Sequence, residues 1–340
     1  MQATRIVFSR PNAASVEDFA FDTADLQADE LALRTRYSII SAGTELAILA
    51  GIEPWAQLPF VPGYAACTEV LAAGSDLEGH KPGDLVLTYT KHASHVRTRG
   101  LAIPVPDDVD PRYVPFARMA AISMTAVRVA KPELGDTLVV FGLGLVGSLC
   151  AQLCTLAGCE VIGIDLSPER CEKARACGVA HAINPRAIDP HEYIADLTHG
   201  RMCETVIEAT GLSQVGVEAS ELAGQNGQVI LLGSPRKPYE TDVTPMLQRI
   251  HLWSNGCISY RGSHHRCHRL RQDPDGHVKH SIERDLKILF RLVGQGKLRV
   301  EPLLTHVLRP ERCAEAYDGV RNHREEYVGV LFDWSKEPAR

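Results

Sequence analysis

No apolar run in this chain approaches the roughly 18–20 residues needed to cross a bilayer, so no membrane association is expected. The opening MQATRIVFSRPNAAS has no continuous apolar segment behind a basic one, so no secretory leader is read and a cytoplasmic protein is expected. Positive charge is not in excess either. The formal net charge is −6 and the pI about 6.2, which gives no global attraction to nucleic acid or an anionic membrane. None of the ten cysteines forms a C-x-x-C knuckle. Cys150, Cys154 and Cys159 fall in one expected helix and its end, and Cys171 and Cys177 in the next, so they read as reduced thiols packed as small apolar groups. There is no internal repeat and no low-complexity stretch.

What is present is 340 residues at 45% hydrophobic, enough for two domains with real cores. Up to about residue 122 the chain reads as short strands punctuated by Gly and Pro. ALRTRYSII turns at Ser41-Ala42-Gly43, CTEVLAAG ends at a glycine, and LVLTY follows the turn Lys81-Pro82-Gly83-Asp84. This predicts a mainly β, barrel-like domain. The pattern then changes. Thr137-Leu138-Val139-Val140-Phe141 is a continuous apolar run, as in a strand buried on both faces. SLCAQLCTLAG, VIGID, SPERCEKARACG, MCETVIEATG, GQVILLG and GCISYRG continue an alternation of helix and strand. That alternation predicts an α/β, doubly wound parallel sheet. ERDLKILFRLVGQGKL reads as an amphipathic helix, and VGVLFDW closes the chain.

Gly142-Leu143-Gly144-Leu145-Val146-Gly147 directly follows the first apolar strand and opens a helix, the context that makes a G-x-G-x-x-G loop a dinucleotide site. Gly142 permits the tight turn, Gly144 lets backbone approach a pyrophosphate, and Gly147 lets helix and sheet pack closely. The helix start at Leu145 and Val146 offers free N–H groups to phosphate. Asp165 ends the second strand, 18 residues after Gly147. Its carboxylate can accept both adenosine-ribose hydroxyls and repel a 2′-phosphate, which predicts NAD(H) over NADP(H). Arg170, on the following helix, reads as a solvated residue.

Ser41-Ala42-Gly43-Thr44-Glu45, then Pro62-Gly63-Tyr64-Ala65, then the glycine loop occur in the order and spacing of a known frame. The chain resembles the medium-chain dehydrogenase/reductase superfamily of the zinc alcohol dehydrogenase type over nearly its whole length. The resemblance implies a GroES-like, mainly β catalytic domain of residues 1–122 and 263–340, with a Rossmann NAD-binding domain, residues 123–262, inserted. Zinc members read roughly Cys-Gly-Thr-Asp and Gly-His-Glu where this chain has Ala42-Gly43-Thr44-Glu45 and Gly63-Tyr64-Ala65. Arg118 falls at or near a third ligand position, and Arg stays protonated. The four-cysteine lobe of many zinc members has no counterpart in residues 85–105, which contain no cysteine. Neither catalytic nor structural zinc is expected.

By the same resemblance Thr44 occupies the hydroxyl position that passes the substrate proton outward. Tyr64 would point at the vacated pocket and donate to a carbonyl, or simply fill volume. Arg118 would add fixed positive charge for an alkoxide or a substrate anion. Glu45 would bind substrate hydroxyls or the arginine, or be solvated. Lys91, His92 and His95 lie where the first domain often borders the cleft; a histidine there, such as His92, would be a general base, or a surface or packing residue. Thr210 and Gly211, after one later strand, and Gly233 and Ser234, after the next, would lie near the cofactor or serve as structural turns. Arg261 to Arg269, with His277 and His280 beyond, reads as a solvated basic loop; adventitious metal binding or an anionic substrate is the alternative.

The expected activity is a zinc-independent, NAD(H)-dependent oxidoreductase interconverting a secondary alcohol and a ketone. Its S-x-G-T-E and P-G-Y elements look like those of bacteriochlorophyllide a dehydrogenase-like enzymes and of sugar, cyclitol and natural-product dehydrogenases, so a polyol, sugar, cyclitol or natural-product substrate is expected. Two alternatives stand beside it: an epimerase or lyase that uses tightly bound NAD internally, and a non-catalytic dinucleotide-binding protein. The partner expected is a small-molecule substrate, with no nucleic acid and no membrane, and the resemblance implies a homodimer joined through the edges of the cofactor-domain sheets, with the GCISYRG strand as the candidate edge.

Overall fold

Alternating half-buried strands and continuous apolar strands sort the chain into two units. The computed structural model describes residues 1–77, 79–251, 257–263 and 280–335. Of the basic histidine-rich stretch from Arg261 to His280, residues 264–279 lie outside the described residues. The first unit begins with Met1–Met119 and takes in the chain from Leu304 onward, and the second begins at Ala120 and takes in Gly296–Leu303.

The first unit opens with an antiparallel pair, β1 (Gln2–Arg10) and β2 (Ala13–Ala20). Next come β3 (Leu31–Ile39), helix α1 (Ala42–Leu49), β4 (Ala66–Ala73), β5 (Leu85–Thr88), β6 (His95–Thr98) and β7 (Ala102–Pro104). Helix α2 (Val114–Ala130) follows. In the second unit come β8 (Thr137–Phe141), α3 (Leu145–Leu156), β9 (Glu160–Ile164), α4 (Pro168–Ala176), β10 (His181–Ile183) and α5 (Pro190–Leu197). They are followed by β11 (Cys203–Glu208), α6 (Ser213–Glu218), β12 (Ala223–Leu231), α7 (Thr244–Ile250) and β13 (Ser259–Gly262). The chain ends with α8 (Ile282–Gly294), β14 (Leu304–Leu308), α9 (Cys313–Asn322) and β15 (Gly329–Asp333).

The second unit is a six-stranded parallel sheet in the order β10-β9-β8-β11-β12-β13. This is the doubly wound order, with its switch point between β8 and β11. Register aligns Ile162, Val139 and Val206 across three strands, and they share one buried cluster with Val229. Helix starts are chemically marked. Ser167 caps α4 by accepting the Arg170 N–H at 3.2 Å, and Asp189 caps α5 by accepting the His191 N–H at 2.8 Å; each cap is followed by proline. β13, from the GCISYRG segment, is the edge strand.

The larger sheet of the first unit runs β14-β15-β3-β4-β5-β7, with β6 also paired to β3. β3 pairs antiparallel with β15, β4 and β6, so its buried side chains anchor the unit. Phe8, Ile48, Tyr317, Phe332 and Trp334 join one core cluster. Two expectations are corrected here. Ser41-Ala42-Gly43 is not a turn between strands: Ser41 precedes α1, and the Glu45 N–H closes the first helical bond on the Ser41 carbonyl at 2.9 Å. Residues 114–130 form a 17-residue helix that strand-and-turn punctuation did not reveal. Among the described residues no helix is long and apolar enough to cross a membrane.

Every described cysteine except Cys257 is buried. Burial pushes the Cys67 and Cys159 thiols up to about 12 and Cys177 and Cys313 up to about 11, which suits packing groups rather than nucleophiles. Phe332 is fully buried, with its ring edge-on to His92 at 5.2 Å. Phe332→Ala should destabilise the chain by about 3–5 kcal/mol in urea unfolding followed by tryptophan fluorescence. A loss below about 1 kcal/mol would remove this ring from the core.

Candidate active site

The first unit holds a continuous buried polar chain. At one end the Trp334 indole N–H donates to Ser38 Oγ at 2.9 Å. Ser38 Oγ meets His92 Nδ1 at 2.7 Å, and His92 Nε2 meets Glu45 Oε2 at 3.0 Å. The Tyr317 hydroxyl donates to the same oxygen at 2.6 Å, and the Ser41 backbone N–H donates to Oε1 at 2.9 Å. Indole and amide can only donate, so Ser38 Oγ accepts at one end of the chain and Glu45 Oε1 at the other. Burial and the Glu45 charge hold the Tyr317 phenol well above its ordinary value, so it remains a donor.

Glu45 is 1% exposed and His92 0%. The solvated and substrate-binding readings of Glu45 are corrected: both oxygens are taken by Ser41, His92 and Tyr317. The surface reading of His92 is corrected too, since both ring nitrogens face buried partners. Lys91 is exposed, its ammonium 4.7 Å above the Phe60 ring, and His95 lies against Phe21 instead.

Ser41 links this chain to a second cluster, since its hydroxyl hydrogen-bonds the Tyr64 hydroxyl. Burial raises the Tyr64 phenol above its ordinary value, while the Arg118 charge and the Ser41 and Thr44 hydroxyls pull the other way. The phenol stays protonated and can donate. Arg118 comes from a stretch of α2 in which Phe116, Ala117, Met119 and Ala120 are all fully buried, and is itself 3% exposed. Its guanidinium carbon lies 5.2 Å from the Tyr64 ring centroid and 4.3 Å from that of Tyr89. The structure thus gathers Thr44, Tyr64 and Arg118, with Glu45 and His92 behind them through Ser41.

In the second unit the glycine loop joins β8 to α3. Gly142 has φ +87°, and a Cβ there would lie 2.8 Å from Thr210 Cγ2. A Cβ on Gly147 would lie 1.7 Å from the Gly142 carbonyl oxygen, so helix and loop meet with no room for a methyl group. Gly144 differs: its Cβ would meet nothing nearer than Arg170 Nη1 at 3.8 Å, so the protein itself does not require glycine there. No side chain caps the α3 N-terminus at Leu145 and Val146. Asp165 Oδ2 accepts the Leu143 N–H at 2.8 Å and Oδ1 the Ser167 N–H at 2.9 Å. The solvated reading of Arg170 is corrected: its side chain is 20% exposed and its Nη1 lies 3.5 Å from Asp165 Oδ2. After β11, the buried Glu208 carboxylate accepts the Thr210 N–H at 2.5 Å and the Gly211 N–H at 2.9 Å, and burial raises its pKa. The Gly233 N–H donates to the Glu208 carbonyl at 2.8 Å, and the exposed Ser234 follows against Gly211. An uncapped helix start beside an open glycine and an oriented carboxylate fits a dinucleotide.

A family model described as zinc-binding dehydrogenase matches residues 146–271. Alcohol dehydrogenase 1 of Zea luxurians is 37% identical over 125 residues, 36% of this chain and 42% of its own length. An uncharacterised zinc-type alcohol dehydrogenase-like protein of Haemophilus influenzae is 29% identical over 146 residues, 43% of this chain and 41% of its own. The matched stretch therefore spans less than half the length of these relatives. D-guloside 3-dehydrogenase of Shigella flexneri is 26% identical over 359 residues, 96% of this chain and 99% of its own. The crystal structure of galactitol-1-phosphate dehydrogenase from Escherichia coli shares the fold, with TM-score 0.82 at 18% identity, covering 97% of this chain and 99% of that one. Over residues 146–271 the chain is similar to zinc-binding dehydrogenases, and it shares the fold of galactitol-1-phosphate dehydrogenase over nearly its whole length.

The positions that resemble metal ligands carry a methyl group at Ala42, a phenol at Tyr64 and, near the third, the Arg118 guanidinium. That donor set does not fit zinc, which takes thiolate, imidazole or carboxylate. Among the described residues no group of three or more His, Cys, Asp or Glu is placed to hold a metal ion. Ser38, Tyr89, Tyr317 and Trp334 were not singled out by sequence, and their partners lie too far along the chain for any local pattern. Glu208 carried a signal, a carboxylate ending an apolar strand just before Ala209-Thr210-Gly211. Glu45→Ala would strand three buried donors and should cost about 3–5 kcal/mol in urea unfolding. Unchanged stability would mean that the polar chain does not hold the unit.

Proposed function

We propose that the chain is an NAD(H)-dependent, zinc-independent oxidoreductase interconverting a secondary alcohol and a ketone. The observation that carries this reading is the Tyr64 hydroxyl, joined to Ser41 and lying beside the Arg118 guanidinium, at positions that resemble those of zinc ligands. Bound nicotinamide supplies or takes the hydride. In reduction, Tyr64 donates its proton to the carbonyl oxygen as negative charge develops there, and Arg118 stabilises that charge in a site depleted of water. A proton taken from solvent through the Thr44 and Ser41 hydroxyls then restores Tyr64, and oxidation runs the same relay backward, releasing the proton to solvent. Glu45, His92 and Tyr317 act at one remove, since the Glu45 carboxylate fixes the Ser41 backbone. The likeness to D-guloside 3-dehydrogenase supports a polyol, sugar, cyclitol or related natural-product intermediate as substrate.

The Gly142–Gly147 loop, the α3 N-terminus and Asp165 would hold the dinucleotide. Asp165 supports NAD(H). Arg170 beside it reduces the repulsion toward a 2′-phosphate, so the preference over NADP(H) is expected to be modest. We also propose a homodimer joined through the β13 edge.

Tyr64→Phe should lower kcat about a hundredfold or more with little change in stability, measured as ketone-dependent NADH oxidation. Full turnover would remove Tyr64 from the relay. The same assay should survive dialysis against a chelator, and a loss of activity that added zinc restores would overturn the metal-free reading. The glycines should separate stability from binding. Gly147→Ala should destabilise by about 1–3 kcal/mol or more through its clash with the Gly142 carbonyl. Gly144→Ala should leave thermal unfolding unchanged while weakening NADH binding about tenfold, read by NADH fluorescence. Unaltered NADH affinity in Gly144→Ala would place the pyrophosphate elsewhere.

A further inference from the structure

Arg118 is 3% exposed, and its Nε and Nη1 are buried without a hydrogen-bond partner. The hydroxyl of Tyr89, whose ring lies against the guanidinium, is buried without one as well. Among the described residues no carboxylate forms an ion pair with Arg118. Glu45, the buried anion nearby, has both oxygens engaged by other donors. Buried polar groups are almost always satisfied, and a buried charge without a counter-charge is strongly disfavoured. Contacts with two aromatic rings offset only part of that desolvation. Two stranded donor atoms on one cation, with a third on the phenol beside it, therefore point to an acceptor that arrives with a ligand.

We propose that Arg118 and Tyr89 form a subsite for a carboxylate on the substrate, so that the enzyme acts on a hydroxy or keto acid. This inference rests on the zinc-free oxidoreductase reading and adds the substrate's charge class to it. A reacting carbonyl alone would not suffice. It is neutral in the ground state and its alkoxide exists only fleetingly, so the guanidinium would stay uncompensated in the bound complex. A carboxylate carries its charge throughout and accepts several hydrogen bonds at once. The charge count favours it over a phosphoryl group. One cation matches one negative charge, while a phosphate monoester brings nearly two. The excess would then face Glu45, whose charge already reaches Tyr64.

The test is binding to the full-length chain with no turnover needed. Butyrate should raise the unfolding temperature saturably and titrate calorimetrically, while butyramide, its neutral counterpart, should do neither. Arg118→Met should weaken butyrate at least about tenfold, Arg118→Lys less, and Tyr89→Phe a fewfold. Without ligand, Arg118→Met should unfold at a higher temperature than the parent, because an uncompensated buried cation has gone. Equal responses to butyrate and butyramide, or butyrate binding that survives Arg118→Met, would overturn the subsite. A lower unfolding temperature of Arg118→Met without ligand would make Arg118 a structural residue and overturn it too. Tyr89→Phe keeps the test open if the Arg118 variants do not fold. Saturable binding of inorganic phosphate with none of butyrate would overturn the carboxylate in favour of a phosphoryl group. The two readings fail separately. Butyrate bound through Arg118 with no NADH-dependent reduction of any keto acid would sink the oxidoreductase and leave the subsite. Turnover of neutral ketones with no butyrate binding would sink the subsite alone.

Discussion

The first unit is organised around one buried carboxylate. Glu45 is almost fully withdrawn from water, and an ionised group there persists only if donors replace the lost hydration. Three converge on it: the Ser41 backbone at the start of α1, the His92 imidazole ahead of β6, and the Tyr317 hydroxyl on α9, 272 residues along the chain. His92 extends the network through Ser38 on β3 to Trp334, just beyond β15. Four separate parts of the chain are thus tied by one charge. The core cluster of Phe8, Phe332 and Tyr317 excludes water from it. Since the Ser41 backbone is one of these donors, the position of its hydroxyl on Tyr64 follows from the same constraint.

In the proposed reading the Arg118 guanidinium stands in for a metal cation. A zinc ion would supply a compact charge with an open coordination position. Arg118 supplies a delocalised charge, fixed at any physiological pH, that acts only through hydrogen bonds and the field it sets up. A phenol pushed upward by burial complements such a charge, because it stays a neutral donor beside a cation. Ala42 and Ala65 fit the same scheme, since neither offers the guanidinium a competing acceptor. The arrangement asks for negative charge from outside the protein, whereas three thiolate, imidazole or carboxylate ligands would have asked for a metal.

The α/β doubly wound sheet was readable because its signals are local. β8 is a continuous apolar run, the glycine loop follows it directly, and helix-forming segments recur between strands. The β-rich first part was readable from its turn chemistry, but α1 and α2 were not. Ser41-Ala42-Gly43 has the composition of a turn, and helical bonding to Glu45, itself fixed by distant partners, overrides that preference. The site divides along the same line. Asp165 and the glycines declare themselves through spacing, and Tyr64 and Arg118 through departure from a family pattern. Tyr317, Trp334, Ser38 and Tyr89 meet their partners only after folding, so no window along the sequence contains the interaction. Arg170 misled for a related reason. A charged residue on a short polar helix reads as solvated until the strand end opposite it is known to carry Asp165.

That last pair also changes how the nucleotide end of the second unit should be understood. Asp165 is held before any ligand arrives, one oxygen on the Leu143 N–H inside the glycine loop and the other on the Ser167 N–H that leads into α4. The carboxylate therefore closes the loop, and lone pairs remain to accept the ribose hydroxyls of the proposed dinucleotide. Preorganisation of this kind lowers the ordering entropy lost on binding. It also means that removing the carboxylate would loosen the loop and the ribose contact together. Of the loop glycines, Gly142 and Gly147 are demanded by the protein's own packing, whereas the space above Gly144 is left clear. The fold by itself gives no reason to keep it so, and the pyrophosphate of the proposed dinucleotide would.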